Sequence, residues 1–170
     1  LVQSHDGWLY GTTRGGGSDN KGTAFKMTPG GSVTTLVQFS NSNCYPYAEL
    51  VEGSDGNFYG TSSGDGVSSN GSVFKMTPAG VVTTLVEFTD NVGPNKGGSP
   101  VAGLMEGSDG CLYGTTKHGG NGNGTVFKIT NSGYLTTLVE LNGSGTINKG
   151  ILPVAGLLQA SDGNFYGTTN

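Results

Sequence analysis

The chain has 170 residues, of which 33 are glycine and only 12% are charged. Glycine at this level without a collagen period indicates many tight turns between short strands. A formal net charge of −4 argues against a nucleic-acid partner, because such partners normally require a basic face. The sequence has no run of about eighteen apolar residues and therefore predicts no membrane span.

An internal repeat runs through the whole sequence. The phrase Asp-Gly-x-(aromatic/Leu)-Tyr-Gly-Thr occurs four times, and its tyrosines are 49, 54 and 53 residues apart. A second phrase, Gly-(Thr/Ser)-x-Phe-Lys-(Met/Ile)-Thr, follows the first three copies, and Pro-x-Ala-x-Leu leads into each next copy. Repetition at this period is typical of propeller blades. The tyrosines are Tyr10, Tyr59, Tyr113 and Tyr166.

Each repeat predicts four short strands, here named A to D, separated by turn residues. The segment Ser-Asp-Gly-Asn at 54–57 predicts a type I′ turn between A and B, with positive φ at the glycine. Proline early and glycine late at 77–80 predict a tight turn between C and D. No segment has the caps and periodicity of a helix. In the third copy the predicted strands are 101–107, 111–116, 125–130 and 135–141.

Four antiparallel strands per repeat predict an all-β protein made of β-propeller blades. The repeats are 1–45, 46–99, 100–152 and a partial 153–170, within one domain. They predict three full blades and the first hairpin of a fourth, about half a ring. Because propellers close with about four to eight blades, we expect a homodimer that completes a ring; the alternative is a piece of a longer array.

Two phrases resemble a known family. Gly-Ser-Asp-Gly-Asn-Phe-Tyr-Gly-Thr at 53–61 and Gly-Ser-Val-Phe-Lys-Met-Thr-Pro at 71–78 are similar to the Gloeo-Verruco tandem repeat of bacterial proteins. The resemblance implies a propeller and a secreted or cell-surface location. It implies no catalytic residue, because the family has no established activity.

The variable loops indicate where a ligand could bind. The A–B and C–D turns are short and alike, whereas the B–C and D–A connections, on the other rim, differ between copies. Rigid strands that present variable loops are a common arrangement for binding. The alternative is that these loops hold ordinary solvated turn residues. The candidate ligand-binding residues on this rim are Arg14, Tyr45, Tyr47, Lys96, Lys117, His118 and Lys149.

Other recurrent side chains have structural interpretations. The repeated tyrosines could stack on sugars, but their mid-strand position favours packing between blades. The lysines of strand C (Lys26, Lys75 and Lys128) are expected to lay their stems over apolar surface and extend the ammonium group to water. The repeated aspartates are expected to form turns, because no second carboxylate stands at calcium-loop spacing.

No pattern of catalytic, metal-binding or cofactor-binding residues occurs in the sequence. We therefore expect no cofactor, no metal and no assigned catalytic residue. The favoured function is a non-catalytic, extracellular binding module for a glycan or protein. One alternative is a hydrolase or lyase that acts on a polysaccharide or polyester near the propeller axis. The other is a purely structural surface repeat.

Overall fold

The computed structural model describes residues 1–40, 44–64, 70–144, 147 and 150–170. These residues form three four-stranded antiparallel sheets and one two-stranded sheet, and they contain no helix. The first sheet consists of β1 (Val2–Gln3), β2 (Leu9–Thr13), β3 (Thr23–Met27) and β4 (Val33–Gln38). The second consists of β5 (Val51–Glu52), β6 (Phe58–Ser62), β7 (Ser72–Met76) and β8 (Val82–Glu87). The third consists of β9 (Met105–Glu106), β10 (Leu112–Thr116), β11 (Thr125–Ile129) and β12 (Leu135–Glu140), and β13 (Leu158–Gln159) pairs with β14 (Phe165–Tyr166).

Within each four-stranded sheet the strands pair in chain order, as in a meander. This arrangement confirms the predicted all-β fold of three complete blades followed by the first hairpin of a fourth. We call the three sheets blades 1, 2 and 3, and the β13–β14 pair the fourth hairpin. No helix in the described residues is long and apolar enough to cross a membrane.

The hydrophobic core lies between the blades. Between blades 1 and 2, Tyr10 stacks on Phe58 with ring centroids 4.1 Å apart, and Phe39 meets Phe74 at 5.3 Å. Every residue of β6 and of β10 is buried, because both faces of these strands are covered by neighbouring blades. The predicted packing of the repeated tyrosines between blades is therefore confirmed for Tyr10, Tyr59 and Tyr113, which are buried, but not for Tyr166, which is exposed.

Strand A is much shorter than predicted. In blade 3 only Met105–Glu106 forms a ladder, and residues 101–104 lie outside it. The preceding Pro100 has no N–H to donate to a ladder, and the Ala102 carbonyl instead accepts a hydrogen bond from the Thr61 hydroxyl of blade 2 (3.3 Å). The inner segment is thus fixed to the neighbouring blade. The other strands of blade 3 are one residue shorter than predicted.

The predicted type I′ turn between strands A and B is wrong, although its glycine behaves as predicted. Gly56, Gly110 and Gly163 have φ of 73°, 73° and 83°, whereas Asp55 is not among the residues with positive φ. The Gly56 N–H bonds the Gly53 carbonyl at 2.9 Å, and the Gly53 N–H bonds the Asn57 carbonyl at 2.8 Å. This pattern is a three-residue loop in which a left-handed glycine follows a type I turn.

The two ends of the blade series leave apolar side chains uncovered. Leu1 is 63% exposed, whereas Leu50, which holds the same place in blade 2, is 2% exposed. At the other end Tyr166 is 53% exposed, whereas the corresponding Tyr59 is fully buried. The side chains that pack between blades in the interior are therefore open to solvent at both ends.

Candidate functional site

The B–C and D–A connections meet on one rim, as the strand order predicts. Gly98, which leads into blade 3, and His118, which follows β10, exchange two backbone hydrogen bonds of 2.9 Å each. At the preceding junction the Ser63 N–H and hydroxyl both donate to the Tyr45 carbonyl at 3.2 Å. The loops of the rim are therefore joined to one another by main-chain contacts.

Three of the predicted residues come together where blade 1 meets blade 2. The Arg14 guanidinium carbon lies 5.6 Å from the centre of the Tyr45 ring, within cation–π range. Tyr47 is 59% exposed. Arg14, Tyr47 and Glu49 border a shallow cavity of about 200 Å³. Its other lining residues are Leu1, Gly11, Thr12, Phe25, Pro46 and Ala48. We call Arg14, Tyr45, Tyr47 and Glu49 the aromatic cluster.

Tyr45 is held in an unusual backbone conformation. Its φ is 55°, and the residue before a proline is normally extended. Its N–H bonds the Lys21 carbonyl of blade 1 at 2.8 Å, while its carbonyl accepts from blade 2. Ser99 and Leu152 stand before the corresponding prolines with φ of 50° each. These main-chain contacts fix the Tyr45 ring beside Arg14.

The other predicted residues differ in their availability to a ligand. The Lys96 ammonium pairs with the Glu140 carboxylate of blade 3 at 2.6 Å. Lys117 is half-buried, and its N–H bonds the Ser99 carbonyl at 3.2 Å. His118 is exposed beside it. Lys149 lies outside the described residues.

The repeated aspartates, tyrosines and lysines form one network in each of blades 2 and 3. One oxygen of Asp55 accepts from the Tyr59 hydroxyl and from the Lys75 ammonium, both at 2.8 Å. Burial opposes ionisation of Asp55, but hydrogen bonds from Lys75, Tyr59 and Asn57 outweigh it and lower the pKa of this carboxyl. Burial and the bond to Asp55 raise the pKa of Tyr59 to about 12.

The lysines of this network correct one expectation. The ammonium groups of Lys75 and Lys128 bind the turn aspartates of their own blades rather than only water, Lys128 reaching Asp109 at 2.6 Å. In blade 1 the Lys26 ammonium instead lies 4.6 Å from the Trp8 ring centre. The aspartates form turns as predicted, since the Asn57 N–H bonds an Asp55 carboxylate oxygen at 3.1 Å. These groups brace each blade internally.

A family comparison agrees with the internal repeat. The Gloeobacter/Verrucomicrobia repeat matches residues 1–170. The chain belongs to this repeat family. A comparison with curated proteins gives no match.

Several solved structures share the propeller fold of this repeat protein. Virginiamycin B lyase from Staphylococcus aureus is 17% identical with a TM-score of 0.53, and the match covers 94% of this chain and 55% of the lyase. A provisionally named gluconolactonase is 15% identical with a TM-score of 0.59, covering 98% and 55%. An extracellular domain of a provisionally named hybrid two-component system from B. thetaiotaomicron is 13% identical with a TM-score of 0.57, covering 90% and 19%.

These matches establish the fold of the repeat chain as a β-propeller. The chain spans 55% of the lyase and of the gluconolactonase, about half of each. At 13–17% identity the likeness concerns architecture, because propellers carry many unrelated functions.

A second cavity, of about 590 Å³, lies on the rim of the short A–B turns. His5, Glu52 and Glu106 contribute to its lining. Glu52 accepts from the Ser4 hydroxyl at 2.8 Å and lies 3.1 Å from His5 Nδ1. Glu106 accepts twice from Ser54. Both carboxylates thus link one blade to the turn of the blade before it.

Sequence reasoning missed Glu49 and the two turn-binding glutamates. Glu49 takes the place that glycine holds in the next two repeats, at Gly103 and Gly156. This difference between the repeats, in the segment that leads into strand A, was a usable signal. Glu52 and Glu106 each stand two residues before the serine of a Ser-Asp-Gly turn. Only the structure shows that they contact the preceding blade. In the described part of the chain, no group of three or more His, Cys, Asp or Glu side chains could hold a metal.

Proposed function

We propose that this chain is a non-catalytic binding module that acts outside the cell or at its surface. Its ligand, a glycan or a protein, would lie against the rim of B–C and D–A loops. The observation that carries the proposal is the aromatic cluster, where an exposed tyrosine, an arginine and a carboxylate border one shallow cavity.

The chemistry of the aromatic cluster suits ligands that are partly apolar and rich in hydroxyl or amide groups. The Tyr47 ring offers a broad apolar face with a polar tip, which is why tyrosine is frequent at interfaces. The planar Arg14 guanidinium can donate several hydrogen bonds to a ligand, and the Glu49 carboxylate can accept hydrogen bonds from one. Tyrosine and arginine are also the residues that most often dominate binding energy at protein interfaces.

The rigid setting of this cluster favours binding further. Tyr45 is fixed by main-chain bonds to both blades, and Arg14 lies over its ring. Side chains that are already ordered lose little conformational entropy when a ligand binds. The cluster therefore has both the groups and the preorganisation of a recognition site.

The proposal is tested by screening the isolated protein against glycans and against proteins of the bacterial cell surface. Bound ligands are then measured with Tyr47→Ala and Arg14→Ala. Tyr134→Ala is the matched control, because Tyr134 is also exposed (74%) but lies at a C–D turn on the opposite rim. We expect roughly tenfold weaker binding for each cluster variant and unchanged binding for the control.

Binding that is unaffected by both cluster variants, or lost equally in the Tyr134 control, would contradict the proposed site. Failure of the whole screen would leave the architectural role as the better account. Each variant is checked for wild-type thermal stability, so that a loss of binding reflects the lost side chain. Immunoblotting of the culture medium and surface biotinylation of producing cells test the location, since an exported module must appear in the medium or be labelled on the cells.

A second candidate function is a hydrolase or lyase. The cavity with His5, Glu52 and Glu106 on the short-turn rim favours it, and two of the structural neighbours are named as a lyase and a gluconolactonase. However, Glu52 and Glu106 already accept hydrogen bonds from serines and link consecutive blades. Turnover of a lactone, polyester or polysaccharide that Glu52→Gln abolishes would establish this alternative.

We also propose that two copies of the chain form a homodimer through their exposed flanks. The exposed Tyr166 flank of one copy corresponds to the interior flanks that cover Leu50, and the exposed Leu1 of a second copy holds the place of Leu50. Joining the two flanks would repeat the packing seen between blades. Solubility disfavours leaving such apolar patches open.

A further inference from the structure

Where blade 2 meets blade 3, three polar side chains surround a glycine on the rim of B–C and D–A loops. Gly98 is buried and leads from the D–A loop of blade 2 into blade 3. A Cβ built on this glycine would lie 3.5 Å from Asp90 Oδ1, 3.7 Å from the His118 Cβ and 3.9 Å from the Asn70 Cβ. These side chains come from three different connections of the chain. We call them, with Gly98, the polar notch.

The backbone does not require glycine at the floor of the polar notch. Gly98 is not among the residues with positive φ, and the distances from an added Cβ to its neighbours are those of ordinary van der Waals contact. The other repeats carry a side chain here, because Cys44 and Ile151 stand two residues before their prolines as Gly98 does. The second repeat alone leaves this place without one.

The third repeat fills the corresponding space with hydrocarbon. Its D–A loop, 142–152, has the same length as the loop 89–99 of the second repeat, and Gly143 corresponds to Asp90. The Ile151 Cγ2 atom lies 2.8 Å from the position of a Cβ on Gly143. The third repeat thus places isoleucine over glycine, whereas the second places aspartate over glycine from the opposite side of the loop. The exchange puts a carboxylate where the next repeat has an apolar side chain.

The polar groups of the notch have no partners within the described part of the chain. There, no hydrogen bond or ion pair reaches the side chains of Asp90, Asn70 or His118. Lys96, in the same loop as Asp90, pairs with Glu140 instead. The Asp90 and Asn70 residues are half-buried, and a polar group that is withdrawn from water without a partner costs free energy. A ligand that supplies hydrogen bonds would recover this cost.

Main-chain bonds hold the notch together. Asp90 and Gly97 exchange two backbone hydrogen bonds of 2.8 Å, and Gly98 and His118 exchange two of 2.9 Å. The Asn70 carbonyl accepts from the N–H of the residue that follows Gly98, at 2.7 Å. The backbone that carries the three side chains is therefore already ordered, so that a ligand has only the side chains to immobilise.

The chemistry of the polar notch suits a sugar better than a protein. A carboxylate offers two acceptor oxygens, while an amide and an imidazole each donate and accept hydrogen bonds. A hydroxyl group also donates and accepts, so that two adjacent sugar hydroxyls match this set. The centre of a protein interface is instead apolar and rich in aromatic side chains. The residues of the polar notch provide no such surface.

We propose that the polar notch binds a sugar residue of a glycan through two adjacent hydroxyl groups. The Asp90 carboxylate accepts hydrogen bonds from the hydroxyls, and the Asn70 amide and the His118 imidazole donate to their oxygens. The inference rests on the proposed function, because it uses the same rim and takes a glycan rather than a protein as the ligand. It does not use the aromatic cluster, so that the two sites are tested separately.

NMR spectroscopy of the isotope-labelled chain tests this site. The intact chain is titrated with the methyl glycosides of mannose, galactose and glucose, and the shifts of the backbone amide signals are followed. We expect at least one of these glycosides to shift the signals of Asp90, Gly98 and His118. The signals of Arg14 and Tyr47 report on the aromatic cluster in the same spectra.

Two variants assign the binding to the notch. Asp90→Asn removes the charge with little change of shape, and we expect at least about tenfold weaker glycoside binding, because hydrogen bonds to a carboxylate are the stronger kind. Asp90→Gly combined with Gly98→Ile copies the third repeat and should abolish binding while thermal stability stays close to wild type. Asp19→Asn is the matched control, because Asp19 is an exposed carboxylate in the B–C loop of blade 1. It should bind as wild type does.

The outcomes separate this inference from the proposed function. Shifts at Arg14 and Tyr47 alone would leave the aromatic cluster as the glycan site and overturn the polar notch. Shifts at Gly98 that persist in the double variant, or equal affinity of Asp90→Asn and wild type, would also overturn it. So would the absence of any shift with the three glycosides. Shifts confined to the polar notch would support it and contradict the aromatic cluster as the site for these sugars.

Discussion

Ser54 donates two hydrogen bonds to Glu106, from its backbone N–H at 2.8 Å and from its hydroxyl at 2.7 Å. Ser54 lies in the A–B turn of blade 2, and Glu106 ends the first strand of blade 3. One blade earlier Glu52 also accepts two hydrogen bonds from the preceding turn, from the Ser4 hydroxyl at 2.8 Å and from the His5 N–H at 3.2 Å. One side chain thus fixes the turn of each blade to the inner strand of the next.

Replacing Glu106 tests how much this link contributes to stability. Gln159 makes the equivalent contacts to Ser108, at 2.9 and 3.2 Å, so that Glu106→Gln should be nearly neutral. Glu106→Ala should lower the free energy of unfolding by about 1 kcal/mol, because it leaves the Ser54 groups without their acceptor. Urea denaturation of both variants measures the difference. Equal losses for the two variants would show that charge, rather than hydrogen bonding, matters.

A second prediction concerns the glycines of the A–B turns. Gly56 has φ of 73°, and a Cβ there would meet nothing within 4 Å. Gly56→Ala should therefore cost about 1 kcal/mol through backbone strain alone. Gly30→Ala is the matched control, because Gly30 also lies in a turn but lacks a positive φ. Thermal melting that ranks the two variants equally would contradict this account.

A third prediction concerns acid stability. The ion pair with Lys128 is the main cause that lowers the pKa of Asp109 from 3.8 to about 2. As the pH falls, the Asp109 carboxylate is protonated in the unfolded chain before it is protonated in the folded one. The stability that this carboxylate contributes is therefore complete above about pH 5 and is lost between about pH 4 and 2. Asp109→Asn should therefore be less stable than wild type at pH 7, with a difference that shrinks below pH 4.

The control for this prediction is Asp162→Asn, because Asp162 makes the turn contacts without a lysine partner among the described residues. Denaturation curves at pH 7, 4 and 2.5 should show a smaller loss for this variant. A constant difference between wild type and Asp109→Asn across the pH range would exclude the ion pair as its cause.

A fourth prediction concerns assembly. The exposed flanks at Leu1 and Tyr166 should associate, so that light scattering at micromolar concentration gives about twice the chain mass of 17.2 kDa. Leu1→Asp should shift the protein towards the monomer, while Tyr134→Ala, an exposed residue at a C–D turn, should not. A mass near 17.2 kDa that is independent of dilution would rule out the homodimer.

The blades could be predicted from the sequence because the repeat records each strand several times. Phe58 and Leu112 hold the same place in different copies, as do Met76 and Ile129. Because apolar residues recur at the same strand positions in every copy, the strand pattern is not a chance match in one segment. The short strand A could not be predicted in the same way. Its inner segment accepts a hydrogen bond from Thr61 of the neighbouring blade. The same threonine and alanine recur at the other junctions, but their recurrence in the sequence does not show that they bond across blades.

The candidate site could be predicted only in part. In an antiparallel meander the B–C and D–A connections fall on the same rim, which places Arg14 and Tyr45 together there. Their cation–π contact, however, depends on the left-handed backbone of Tyr45. Lys96 carries the same charge as Arg14, yet its position beside Glu140 leaves it in an ion pair. Side chains of the same charge thus differ in their availability to a ligand, because their neighbours in the fold differ. Residue spacing in the sequence does not show these neighbours.

The left-handed residues before the prolines have a consequence for how such proteins diversify. Tyr45, Ser99 and Leu152 differ in size and polarity, yet the N–H of each bonds a carbonyl in the B–C loop of the preceding blade, at 2.7–2.8 Å. This joint between blades is therefore made by main-chain atoms. Evolution or a combinatorial library can exchange the residue presented at this point without rebuilding the joint, so that each repeat added to an array adds one independently variable position to the rim.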